Sequence, residues 1–360
     1  MMGVVRADIG PMVLALAAGA AGAFGAQAVS LPLPWMLGPM CVCTALALLK
    51  VPIRGPMPIR PPMIAILGIM LGSGFSPEML GRASQWAVSL AMLGAYVATV
   101  GALAYPYFRR VGGYDRVTAF FAGMPGGLNE MMLVGHAYGG DDRRIVLTHA
   151  SRILLAVLLI PIFFRLTTDI DMSNRSAFGV SIDEVSLKDY AILATCAVVG
   201  VPVAKLLRLP AALLIGPMII SAFVHLMGWS ASQPPREIVN LAQWIIGTVI
   251  GCRFVGVARA EIFRVLRISV GATAIMLAVC AFFALLLHWL VGMEVDTVVL
   301  AYAPGGLAEM SLVALALGTD VAFVATHHMV RIILVVMAAP AFFRLSARWN
   351  KGRDRETRRE

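Results

Sequence analysis

The sequence predicts an all-α polytopic membrane protein made of two inverted repeats, each holding about five transmembrane helices plus one re-entrant or broken Pro-Gly-Gly segment. Three observations carry this. The composition is that of a bilayer protein, 59% hydrophobic and 14% charged over 360 residues, with a mean hydropathy of +0.84. The chain aligns on itself at an offset near 179. Basic loops alternate with neutral or acidic ones along its length.

Apolar stretches near the roughly 20 residues needed to cross hydrocarbon recur along the chain. Among them are Pro11 to Val29, Trp86 to Phe108, Ile145 to Phe164 and Ile268 to Leu290. The first follows Arg6 and resembles a cleavable leader, but it takes part in the internal symmetry and reads as a retained first helix. The net charge of +9 sits in loops and in the Arg348 to Arg359 tail, where Lys and Arg orient the chain rather than contact nucleic acid. Cys41, Cys43, Cys196, Cys252 and Cys280 have no CxxC spacing and read as small core residues.

The repeat is specific. Pro125-Gly126-Gly127-Leu128-Asn129-Glu130-Met131 falls on Pro304-Gly305-Gly306-Leu307-Ala308-Glu309-Met310. The match continues through Asp141 and Asp320, His149 and His328, and Arg152 and Arg331, then ends on Pro-x-Phe-Phe-Arg-Leu at Pro161 and Pro340. From Phe120 to Leu166, 22 of 47 positions are identical to their counterparts. Upstream, Leu31-Pro32 and Gly38-Pro39-Met40 meet Leu209-Pro210 and Gly216-Pro217-Met218, and Gly68, Gly72 and Phe75 meet Gly247, Gly251 and Phe254. The organisation is thus a first repeat over 1–166, a polar acidic linker over 167–189, a second repeat over 190–346 and a basic cytoplasmic tail over 347–360.

Loop charge sets the orientation. Basic clusters lie at Lys50/Arg54/Arg60, Arg109/Arg110/Arg116, Lys205/Arg208, Arg253/Arg259/Arg264/Arg267 and the tail. If all six apolar segments of each half crossed, the Arg264 loop and the tail would fall on opposite sides. One segment per half must therefore fail to cross. Pro removes a backbone donor and Gly-Gly weakens a helix, so the Pro125 and Pro304 segments are the ones that fail. Five crossings per half then invert the repeats, put every basic loop on one side and place both termini in the cytoplasm.

These motifs resemble the membrane-embedded AbrB family, and the resemblance covers nearly the whole chain. That family is an internal duplication whose legacy labels include regulator of gene expression and ammonia monooxygenase. It is similar in plan to inverted-repeat cation/proton antiporters and anion transporters. The resemblance implies the transporter plan without a substrate.

Glu130 and Glu309 follow each Gly-Gly break, and a carboxylate at membrane depth is costly unless protonated, paired or wet. They read as sites for a proton or sodium; the alternative is that each caps its half-helix. Pro125, Gly126, Gly127, Pro304, Gly305 and Gly306 leave backbone N–H groups at a positive helix end that favours an anion; close helix packing is the competing reading. His149 and Arg152, like His328 and Arg331, share a helix face. Each Arg reads as a substrate anchor or a partner of the repeat's Glu, against a structural role. Asp141 and Asp320 read as N-caps or rim residues. Asn129 faces Ala308 in the alignment, so the two half-sites are chemically unequal.

The function predicted is a secondary transporter of a small, anionic solute, coupled to H+ or Na+, in the inner (plasma) membrane. It is expected to be no enzyme and to need no cofactor or metal. Its expected partners are the lipid bilayer, the solute and the coupling ion, without direct contact to nucleic acid; homo-oligomerisation stays open. A membrane sensor acting indirectly on gene expression is the alternative class. An oxygenase is disfavoured because His327 and His328, adjacent in sequence, point to different helix faces and supply no ligand cluster.

Overall fold

The computed structural model describes residues 2–79, 86–167 and 179–356, with side chains for 9–79, 86–167 and 179–344. Residues 168–178 of the linker and 357–360 of the tail lie outside the described residues. Helices carry the regular structure, and no strand occurs among the described residues. The first half contains α1 (Met2–Ala28), α2 (Pro34–Leu48), α3 (Arg60–Gly72), α4 (Trp86–Arg110), α5 (Arg116–Gly123), α6 (Leu128–Ala137) and α7 (Asp142–Thr167). The second contains α8 (Leu187–Leu206), α9 (Ala212–Leu226), α10 (Arg236–Gly251), α11 (Arg259–Val291), α12 (Val295–Tyr302), α13 (Leu307–Ala316) and α14 (Val321–Glu356).

Helices α1, α4, α7, α8, α11 and α14 are long and apolar enough to cross a bilayer. Helices α2, α3 and α9 are apolar but only 15, 13 and 15 residues long, or roughly 20 Å at 1.5 Å per residue. Besides its Pro-Gly-Gly hairpin, each repeat therefore has five helices among the described residues, three of full spanning length and two shorter. The interiors of the short helices are buried in a bundle, whereas flanking residues such as Leu49, Ile59 and Met227 are exposed.

Glycines set how closely that bundle packs. Gly22 on α1 meets Gly38 on α2 backbone to backbone, and a Cβ at Gly38 would overlap the Gly22 carbonyl. Gly200 on α8 and Gly216 on α9 repeat this contact at the equivalent positions. Across the halves, α3 lies against α9 and α2 against α10. The first three helices of each half thus form one bundle, and the last four form a second. The two bundles meet mainly through α3 with α13 and α14, and through α2 with α7.

Helix direction follows from cross-contacts. Tyr96 of α4 meets Phe283 of α11, Tyr107 Oη donates to the Ile268 carbonyl at 3.1 Å, and Arg264 Nη2 donates to the Gly112 carbonyl at 3.2 Å. As the residue number rises along α4 it falls along α11, so these counterpart helices run antiparallel. That is the relation inverted repeats produce.

Helices α5 and α6 form a hairpin. Phe121 packs on Tyr138 with ring centroids 5.8 Å apart, and Asp141 N donates to Thr118 Oγ1 at 2.9 Å. The chain enters at Asp115, turns at Gly126-Gly127 and returns to the end from which it came. In the second half, Glu294, Thr297 and Asp320 line one cavity, which closes α12 and α13 into the equivalent hairpin. The Pro-Gly-Gly segments are thus re-entrant rather than broken crossing helices.

The basic loops share one end of the molecule. Arg259 Nε donates to the Leu48 carbonyl at 2.8 Å, Arg54 N to the Pro11 carbonyl at 3.1 Å, and Arg143 pairs with Glu261 at 3.1 Å. At the other end, Arg165 Nη1 donates to the Ser30 carbonyl at 2.6 Å and Ile182 N to Glu237 at 3.1 Å.

Candidate functional site

Each hairpin tip is built from helix ends. Asp115 caps α5 by accepting from Val117 N at 2.9 Å and Thr118 N at 3.0 Å. The half-helix stops before buried Pro125, and α6 restarts with Gly127 as its N-cap. Buried Pro304 and the Gly306 N-cap do the same between α12 and α13. Asp141 accepts from Arg144 N at 3.1 Å, and Asp320 from Phe323 N at 2.9 Å, so both act as N-caps of the long helices that follow.

The terminal carbonyls of α5 and α12 lack helical partners and form the negative end of the helix dipole. Buried Arg152 supplies the missing donors: Nη1 reaches the Met124 carbonyl and Nη2 the Gly126 carbonyl, both at 3.0 Å. Arg331 repeats this with Ala303 at 2.6 Å, Gly305 at 2.9 Å and Tyr302 at 3.3 Å. His149 and His328 donate from Nε2 to the Phe121 and Leu300 carbonyls at 3.0 and 2.9 Å. His328 Nδ1 accepts from Arg331 at 2.9 Å, so it carries no proton there. His327 turns away, toward Ser89 at 2.8 Å and the Phe323 carbonyl.

This corrects the expectation that Arg152 and Arg331 pair with the repeat's Glu. No Arg–Glu ion pair forms at either tip among the described residues. The guanidinium groups are used on main-chain carbonyls, leaving only each Nε without a partner.

Glu130 and Glu309 fold back over their own half-helix starts. A Cβ at Gly127 or Gly306 would overlap the carboxylate, which explains the second glycine of each pair. The positive helix end thus already faces a negative group supplied by the chain. Glu130 also accepts from Ala211 N at 3.2 Å. Ala211 sits at φ +47 as the N-cap of α9, a left-handed conformation uncommon for a non-glycine residue.

Both tips and both carboxylates line one cavity of about 370 Å³ between the two bundles, within the size range of small-molecule sites. Asn129, Arg152, Ala308 and Arg331 also line it, whereas His149 and His328 do not. The opposite wall comes from the basic-face ends of α3, α9 and α10, including Arg60, Ala211 and Arg253. In the sequence, Arg60 reads as a loop charge, and Arg253 as a loop charge that, with Gln243, flanks the glycine-spaced Gly247 to Gly251 helix. The signal that marks them is their departure from the repeat, since Gly74 stands where the first half would match Arg253.

The family model described as "Transition state regulatory protein AbrB" matches residues 35–347, both re-entrant hairpins included. The chain belongs to the AbrB family. Among AbrB-family relatives, "Uncharacterized protein YhjN" of Bacillus subtilis (strain 168) is 28% identical over 92% of this chain and 91% of its own length. "Putative regulator AbrB" of Escherichia coli (strain K12) is 26% identical over 89% of this chain and 92% of its own length.

Proposed function

We propose that this AbrB-family protein is a secondary transporter that carries a small anionic solute across the inner (plasma) membrane, coupled to protons or sodium through Glu130 and Glu309. One observation carries the reading: two sequence-equivalent re-entrant tips converge with their carboxylates on a single cavity between two helix bundles. In a bilayer, irregular backbone is tolerated only where protein or a wet cavity surrounds it, and interrupted helices meeting at a repeat interface are where carriers bind their cargo. The charge of the basic loops supports a cytoplasmic position for the cavity's scaffold wall and for both termini. No bond in the solute is made or broken.

The test is flux in proteoliposomes holding the purified chain, with a pH-sensitive dye inside and a proton or sodium gradient imposed. Gradient-dependent entry of small organic anions is expected, with loss in the Glu130→Gln, Glu309→Gln double variant. Wild-type flux in that variant would remove the carboxylates from the mechanism.

The regulatory wording of the family description and of the Escherichia coli relative favours a second reading, in which the same cavity senses a solute and gene expression responds indirectly. A transcriptional phenotype that survives complete loss of flux would select it.

A further inference from the structure

The cavity has four arginines, and only two are committed. Arg152 and Arg331 hold the tip carbonyls. Arg60, at the first residue of α3, and Arg253, just beyond α10, line the opposite wall with no hydrogen bond and no ion pair to a carboxylate among the described residues. They are close enough to feel each other's charge, and Arg60 also feels those of Glu130 and Glu309. Two like charges facing one cavity without a bonded counter-ion are unfavourable unless an anion joins them. Neither arginine has a counterpart in the other repeat, where Val239 and Gly74 stand at the matching positions, so the pair is not a by-product of duplication.

We infer that Arg60 and Arg253 form an anion subsite that takes the carboxylate of a small organic acid, and that the acid's apolar body lies between the two walls of the cavity. This rests on the transport reading for its purpose but not for its existence. The guanidinium fork matches a planar carboxylate through paired N–H donors. Beside the two arginines stand Ile64, Leu67, Ile246, Val249 and Ile250, with Leu128 and Ile332 opposite. Such walls favour an acid with a hydrocarbon body over phosphate or sulfate, whose tightly held water they cannot replace. The Glu carboxylates on the facing wall repel a second acidic group unless they are protonated, which favours a monocarboxylate. The two walls then divide the roles, with the scaffold bundle binding the anion and the re-entrant tips holding the coupling cation.

The test is binding, measured on full-length protein in detergent at constant ionic strength by calorimetry and thermal shift. Probes are butyrate, hexanoate and benzoate, with succinate, phosphate, sulfate and vesicles of phosphatidylglycerol as comparisons. Saturable binding of the monocarboxylates is expected, weakened about tenfold or more in Arg60→Gln and in Arg253→Gln and kept in Arg259→Gln, which lies outside the cavity. The lysine variants Arg60→Lys and Arg253→Lys, which retain charge and lose the fork, are expected to fall between. In the unmodified protein, hexanoate is expected to shield Arg60 and Arg253, and not Arg259, from an arginine-selective dicarbonyl reagent read by peptide mass spectrometry, which keeps the test valid if the variants misfold. Equal binding by wild type and both Gln variants, or no shielding, overturns the subsite. Tighter binding of phosphate, sulfate or the lipid vesicles overturns the organic-acid assignment. Binding with these dependences but no gradient-driven flux overturns the transport reading and leaves the subsite standing.

Discussion

The two re-entrant hairpins have nearly the same sequence but different surroundings. Of α13, eight residues are buried, from Leu307 to Ala316, whereas α6 buries only Met131 and Gly135. Leu133 is 63% exposed and its counterpart Leu312 is 0% exposed. Glu130 reaches across to Ala211 on the scaffold bundle; no such bond links Glu309 to the equivalent Leu33 among the described residues, although Leu33 shares the left-handed backbone, at φ 48. The second hairpin is therefore part of the core, and the first forms the loose edge of the cavity. An inverted repeat whose halves exchanged these environments would open its cavity on the other face, and that exchange is the conformational step a carrier needs.

The largest expected effect is on stability. Arg331→Met strands three buried carbonyls at roughly 1–3 kcal/mol each, so a loss of at least about 3 kcal/mol and a large drop in the thermal midpoint are expected, with Arg152→Met milder. Equal losses would show that burial does not separate the hairpins. Next comes flux. Glu309→Gln is expected to reduce coupled flux by about 100-fold, whereas Glu130→Gln, whose amide oxygen can still accept from Ala211 N, is expected to reduce it by about tenfold. The reverse order would place the coupling ion on the loose side.

Where the repeats are alike, the effects should match. Gly38→Ala and Gly216→Ala each force two backbones apart and are expected to cost about 1–3 kcal/mol, readable as equal shifts in thermal midpoint. The smallest effect separates the hairpin entrances. Asp115→Ala removes a cap worth about 1 kcal/mol, while Glu294→Ala, whose side chain makes no cap bond, should change almost nothing. Burial pushes the Asp115 carboxyl up, but hydrogen bonds from Thr118 and Val117 outweigh it and leave the group below its ordinary 3.8. A depressed carboxyl stabilises the fold above the unfolded value and loses that contribution as pH falls through the folded one. The wild type and Asp115→Ala should therefore converge in stability as pH falls below about 4.

Much of this plan is legible in the amino-acid chain because it depends on local chemistry. The Pro-Gly-Gly runs at Pro125 and Pro304 break their helices where lone prolines such as Pro39 and Pro161 do not, Asp141 and Asp320 cap, and the hydropathy requires a bilayer. The grouping of α1 to α3 with α8 to α10 was not legible, because it depends on which glycine faces which: Gly68 meets Leu214 and Gly247 meets Met36, contacts 146 and 211 residues apart. The partners of Arg152 and Arg331 were open for the same reason, since a guanidinium serves a carbonyl or a carboxylate equally well and only geometry chooses. Arg60 and Arg253 were hidden among topology-setting charges, where a binding residue and an orienting one carry the same letter.

Where other interrupted helices recruit a metal ion to their exposed carbonyls, the tips here use Arg152 and Arg331. That cation is tethered by covalent bonds, so it cannot be chelated, diluted or exchanged. The tips should keep their shape in salt-free buffer containing a chelator, and any sodium this protein uses is left to the Glu130 and Glu309 carboxylates rather than to those carbonyls, free to come and go without loosening the fold.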